Sequence, residues 1–170
     1  NAYHRFTVDR HLWEATANAA SWADRVARPD LLVLGALFHD IGKGYPGDHT
    51  EVGVVMVERM GPRLGLNSDD TQILCSMVKN HLLLPDVATR RDLADSATIM
   101  MVAEEVKTSL VLDLLHGLTE ADSLATGTSA WGSWKAELVN DLVRRVHLVL
   151  GGAGVEDAQW RLFPDAEVLE

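Results

Sequence analysis

Cysteine is almost missing from this 170-residue chain: Cys75 is the only one, so no disulfide can form within it. That cysteine lies in Ile73-Leu74-Cys75-Ser76-Met77-Val78 and reads as a small, buried, unreactive thiol. Long apolar runs are also missing. None approaches the roughly 18 residues that a membrane span needs, so no membrane partner is expected. Basic residues are scarce, 15 Lys and Arg against 25 Asp and Glu, for a formal net charge of −10. A nucleic-acid binder needs a basic face, so that partner class is not expected either. Period-two alternation is nearly absent, which removes the usual signal for strands and leaves an all-α chain. Hydrophobic residues make up 47%, enough for one domain of ordinary size without covalent staples. The chain begins at Asn1 with a polar stretch, in which no signal peptide is expected. It reads as a piece excised from a longer protein, and a cytoplasmic origin is compatible with all of this.

Helical patterning fills what remains. Val8 to Ala27 is free of Gly and Pro, with Thr7 or Asp9 as cap. After Pro29-Asp30, Leu31 to Phe38 is almost wholly apolar and reads as a buried helix. Residues 41 to 49 are a glycine- and proline-rich loop. Further helices are expected over Thr50–Met60, Ser68–Asn80, Ser96–Val106, Thr108–Ala125 and Ser133–Leu150, with Pro85 to Asp95 as a polar loop. The expectation is a bundle of about six to seven helices. Gly151-Gly152-Ala153-Gly154 ends it, and residues 151–170 read as an acidic linker or tail.

Against that background one series of polar residues stands out: His11, His39-Asp40, His49, His81 and Asp122. Each ends or punctuates an apolar element, where an unpaired polar group is costly. A common partner explains them together better than separate structural roles do. Four imidazoles and two carboxylates can hold one or two divalent ions between helices. The donor set suits Mn²⁺, Fe²⁺, Zn²⁺ or Co²⁺, and Mg²⁺ less naturally. Such ions acidify water and neutralise phosphoryl charge. Asp40 is placed to bridge two ions. Lys43, three residues on in a glycine loop, can meet a phosphoryl oxygen or protonate a leaving group. Arg90 and Arg91 either bind phosphate or pair with Asp92 or Asp95, and Lys79 is a weaker phosphate candidate. Asp48 orients His49 or coordinates through water. His4, His116 and His147 are assigned no catalytic part.

This series resembles the HD-domain metal phosphohydrolases, whose pattern is H…HD…D with additional histidines. The likeness is closer to one family within them. Val8-Asp9-Arg10-His11, Phe38-His39-Asp40-Ile41-Gly42-Lys43-Gly44, Gly47-Asp48-His49, His81-Leu82-Leu83-Leu84, Arg90-Arg91-Asp92, Thr119-Glu120-Ala121-Asp122 and Trp131 with Trp134-Lys135 follow in order. Residues 3–150 are similar in this way to the central HD domain of the bacterial PII uridylyltransferase/uridylyl-removing enzymes. The loop Gly44-Tyr45-Pro46-Gly47 and Lys79 depart from the usual pattern. The resemblance implies an all-α HD domain, with nucleotidyltransferase and glutamine-sensing ACT domains elsewhere in the parent enzyme. It also implies metal-dependent hydrolysis of a nucleotidylated tyrosine on the PII protein, releasing UMP or AMP. His11, His39, Asp40 and Asp122 would form the main metal site. His49 and His81 would complete a second one or hold the substrate phosphate. Two other readings stay open: an HD phosphohydrolase acting on a free nucleotide or (p)ppGpp, and a regulatory domain without catalysis.

Overall fold

The computed structural model describes residues 7–127 and 129–152. His4 and residues 153–170, most of the expected tail, lie outside them. The described residues form eight α-helices, two 3-10 turns and no strand. The helices are α1 (Val8–Ala19), α2 (Pro29–Phe38), α3 (His49–Met60), α4 (Ser68–Asn80), α5 (Leu83–Arg90), α6 (Ser96–Val106), α7 (Ser109–Thr126) and α8 (Ser133–Leu150). The all-α class expected from the pattern is what the chain adopts.

α2 and α7 make the centre. α2 starts with Pro29 in its first turn, where a missing N–H costs nothing. Its Leu31, Leu32, Gly35, Ala36 and Phe38 are all buried, because α1, α4 and α7 surround it. α7 buries Val111, Leu112, Leu114, Leu115 and Leu118. Each of these leucines contributes about 1.5–3 kcal/mol of apolar burial. α1 runs along α7 with a stripe of His11, Ala15 and Ala19 at helical spacing. α3 packs on α4, while α8 closes the other side against α5, α6 and α7. Side-chain caps start four of these helices: Asp48 before α3, Asn67 before α4, Asp95 before α6 and Thr108 before α7. Arg28 ties the start of α2 to that of α4 through a forked pair with Asp70, 2.7 and 3.1 Å, while also holding Asp30.

Two segments differ from the pattern reading. Residues 85–90, within the loop expected over Pro85 to Asp95, belong instead to α5. Pro85 falls within its first turn, where proline is tolerated, and Leu84, Val87 and Ala88 are buried beneath it. Residues 20–25, taken as a continuation of α1, tighten into a 3-10 turn. That winding buries Trp22, whose ring lies against Gly117; a Cβ there would sit 3.1 Å from Trp22 Cε3 and 3.0 Å from Leu32 Cδ2.

Candidate metal centre

Ends of α1, α2, α3 and α4 meet beside the last turns of α7. His11 stands at the head of α1's buried stripe, and α1's packing on α7 brings it to Asp122. His39 closes α2 and Asp40 follows in the turn. His49 is the first residue of α3, held there by Asp48, whose carboxylate accepts from the Thr50 and Glu51 amides. Asp48 thus orients its neighbour through the backbone. His81 closes α4. The loop between Asp40 and α3 is pressed tightly onto that helix. A Cβ on Gly42 would lie 2.0 Å from the His49 carbonyl oxygen.

His11 Nε2 lies 3.2 Å from His39 Nε2 and 2.9 Å from Asp122 Oδ1. His39 Nε2 is 3.5 Å from the same Asp122 oxygen. Asp40 divides its oxygens. Oδ2 faces His39 at 3.5 Å and His11 at 3.7 Å, and it also takes the Lys43 ammonium. Oδ1 faces His81 at 3.5 Å and His49 at 3.7 Å. The Nδ1 atoms of His39 and His81 bond to the Ala36 and Val78 carbonyls at 2.9 and 2.8 Å. A carbonyl only accepts, so each Nδ1 carries hydrogen and each Nε2 is turned inward, the arrangement metal-ligating histidines use.

Two triads could each hold an ion, and they share Asp40: His11-His39-Asp40 and Asp40-His49-His81. Asp122 joins the first by its distances to both imidazoles. Two buried atoms here have no hydrogen-bond partner among the described residues, Asp40 Oδ1 and His49 Nε2. Buried polar atoms ordinarily find partners, and spacings of 3.5–3.7 Å are too long for hydrogen bonds. They suit donors sharing an ion, since ligands about 2.0–2.2 Å from a metal stand roughly 3–4 Å from each other. The residues therefore fit a divalent cation.

Electrostatics agree with this. Burial pushes the Asp122 carboxyl upward, yet hydrogen bonds and charge from His11 and His39 hold it well below the usual carboxylate range. Asp40 is held low too: burial opposes, while the charge of His39 and the hydrogen bond and charge of Lys43 prevail. Burial works against His39, but Asp122 and Asp40 raise it above the ordinary imidazole value. Burial, then the neighbouring charge of His39, lower His81.

The structure thus brings together His11, His39, Asp40, Lys43, His49, His81 and Asp122. It does not bring in the other phosphate candidates. Lys79 pairs with Glu105 at 2.7 Å. Arg90 is exposed beside Asp86 at 3.6 Å, and Arg91 is exposed at the end of α5. His116 packs edge-on to Trp22 and His147 pairs with Asp113 at 2.7 Å, both away from the centre. Two residues the pattern assigned no role bond to the sequence neighbours of Asp122 on α7. Asn18 donates to the Ala121 carbonyl at 3.1 Å, next to Asp122. Lys135 donates to Ser123 Oγ at 3.1 Å, on the other side of Asp122. Asn18 carries no sequence signal and Lys135 is marked only by the Trp134-Lys135 motif, because each contact depends on how α1 or α8 lies on α7.

A helical bundle with buried His and Asp side chains gathered near its helix ends, able to hold a metal ion, has the H…HD…D arrangement. The chain belongs to the HD domain family, whose model matches residues 8–126. It is also similar to enzymes called bifunctional uridylyltransferase/uridylyl-removing enzyme. The one from Streptomyces coelicolor is 52% identical over 94% of this chain and 19% of its own length. Those from Mycobacterium tuberculosis and Azotobacter vinelandii are 51% and 36% identical, over 92% and 82% of this chain and 19% and 17% of theirs. The chain therefore spans about a fifth of the length of the curated relatives it matches. No helix among the described residues is long and apolar enough to cross a membrane.

Proposed function

We propose that this chain is the uridylyl-removing part of such an enzyme: a metal-dependent phosphodiesterase that frees a tyrosine of the signalling protein PII from its nucleotidyl group. The family and the names of the relatives support the reaction class. The observation that carries the reading is the divided carboxylate of Asp40, with one oxygen toward His11, His39 and Lys43 and the other, unpartnered, toward His49 and His81.

His11, His39, Asp40 and Asp122 would hold one ion, and Asp40, His49 and His81 a second. Mn²⁺ is the best match to mixed imidazole and carboxylate donors, with Fe²⁺, Zn²⁺, Co²⁺ and Mg²⁺ as further candidates. When bound, a divalent ion supplies Lewis-acid chemistry, acidifying water toward neutrality and neutralising phosphoryl charge. In the balanced reaction a water oxygen bonds to phosphorus, the bond from phosphorus to the tyrosyl oxygen breaks, and UMP or AMP leaves. The tyrosyl oxygen must gain a proton. Lys43, held against Asp40, is the donor at hand. The proton released from water replaces the one it gives. Arg90 and Arg91 would meet the anionic periphery of a docked substrate, whereas Lys79 would first have to leave Glu105. On this reading the setting is cytoplasmic, and glutamine acts through domains outside this chain.

The test is incubation of nucleotidylated PII with the chain and Mn²⁺. UMP or AMP is released, and Asp40→Ala lowers the rate by more than about 100-fold. Metal-loaded protein that binds PII-UMP and PII-AMP yet releases neither would overturn the reading. Turnover of free nucleotides or (p)ppGpp in their place would transfer the site to another substrate.

A further inference from the structure

The metal centre opens where the loop after Asp40 meets α3. Among its side chains Lys43 and His49 are the most open, 28% and 29% exposed, against 19% for Asp122 and 4% or less for His11, His39, Asp40 and His81. A tyrosyl phosphodiester that reaches such a centre leaves its own main chain at the surface above the opening. The residues flanking that tyrosine must then lie on whatever surface adjoins Lys43 and His49.

A groove of about 480 Å³ adjoins them, a volume in the range of ligand-binding clefts. Pro46 and Gly47, just before the cap of α3, form one wall; Val52, Val55 and Met56 of α3 form the other, with Arg59 at the far end. Val52 and Met56 follow His49 by three and seven residues, so they stand on its side of the helix. α3 turns Gly53 toward Val78 of α4 and leaves the groove face open, with Val55 45% exposed. Tyr45, 59% exposed, stands on the same loop between Lys43 and Pro46. Among the described residues the Arg59 guanidinium has no hydrogen-bond or ion-pair partner. In a chain of net charge −10, a free cation at the end of an apolar strip suits an acidic group brought by a partner. From His49 to Arg59 α3 rises about 15 Å, which extended chain covers in about four or five residues.

We propose that this groove docks the segment flanking the nucleotidylated tyrosine. The segment runs extended from the metal centre along α3, sets an apolar side chain on Val52, Val55 and Met56, and offers a carboxylate to Arg59 about four or five residues from the tyrosine. This rests on the hydrolase reading and adds the surface that selects a protein substrate.

Hydrolysis of two substrates by the Mn²⁺-loaded chain tests it: nucleotidylated PII, and the p-nitrophenyl ester of UMP, which has the phosphodiester but no peptide. Wild type cleaves both. Val55→Asp and Arg59→Glu each lower kcat/KM on nucleotidylated PII by about tenfold or more, while their rates on the ester match wild type. Arg59→Lys, which keeps the charge, stays within about threefold of wild type on both. Both positions are solvent-exposed, so thermal midpoints close to wild type are expected. Equal losses on the two substrates, or no loss on nucleotidylated PII, overturn the groove and leave the hydrolase reading standing. If wild type cleaves the ester but not nucleotidylated PII, docking falls and only the phosphodiesterase chemistry stands. If wild type cleaves neither, the hydrolase reading fails and the groove proposal with it.

Discussion

Replacing Gly42 by alanine would damage the metal centre without touching a ligand. The added Cβ would lie 2.0 Å from the His49 carbonyl oxygen, 2.8 Å from the Gly53 nitrogen and 3.0 Å from the His49 carbonyl carbon. All three are backbone atoms, so no side-chain rotation relieves the clash. Ordinary contact begins near 3.4 Å, so loop and α3 must part by more than an ångström. That shift falls on His49, the first residue of α3, and on the turn carrying Asp40. Overpacking of this kind costs about 1–3 kcal/mol. In a domain of this size that corresponds to a fall of roughly 2–12 °C in thermal midpoint. A misplacement of about 1 Å in a reacting group costs on the order of 100-fold in rate. Gly44→Ala is the control: it has φ +90° and nothing within 4 Å of its Cβ, so it pays only for left-handed backbone, about 1–2 kcal/mol. Thermal unfolding without metal and Mn²⁺ titration of both variants read the two effects. Gly42→Ala is expected to lose stability and the part of Mn²⁺ binding that depends on His49, while Gly44→Ala keeps Mn²⁺ binding. A Gly42→Ala protein with wild-type midpoint and wild-type Mn²⁺ isotherm would refute the packing argument.

Two other expectations concern groups outside the centre. Burial, with the charge of Glu58, pushes the Cys75 thiol up to about 11. Iodoacetamide at pH 8 should therefore label native protein more than about 100-fold more slowly than unfolded protein; equal rates would mean the thiol is not shielded. Arg28 lowers both Asp30 and Asp70. The stability this gives is fully present above the unfolded carboxylate value and is lost as pH falls through the lower folded values. Arg28→Ala should thus be less stable than wild type at pH 7, with the gap closing in acid. A gap that is constant down to pH 2 in denaturant titrations would assign the effect to packing instead.

The helices with unbroken periodicity could be placed from sequence to within a residue or two, α4, α6, α7 and α8 among them. Their apolar stripes persist over several turns, side-chain caps start α4, α6 and α7, and glycines flank α8 and end α7. α5 escaped because Pro85 reads as a breaker, and only the burial of Leu84, Val87 and Ala88 under α8 shows that it sits where a helix tolerates it. The end of α1 escaped for the opposite reason. Nothing local interrupts its pattern, and the change of winding follows from seating Trp22 on Gly117.

The candidate site divides along the same line. Composition and spacing were enough to mark His11, His39, Asp40, His49, His81 and Asp122 as one set, because polar groups at the ends of apolar elements need a shared reason to be there. They also marked Lys43, whose spacing from Asp40 lets one turn join them. Which oxygen of Asp40 faces which histidines is another matter. So are the loss of Lys79 to Glu105 and the bond from Lys135 to Ser123. These depend on the rotation of each helix about its axis and on the packing of α8 against α7. Residue types and intervals encode the donors. Only the close-packed bundle decides their directions, since a helix turned by one residue carries its side chains about 100° away from the centre.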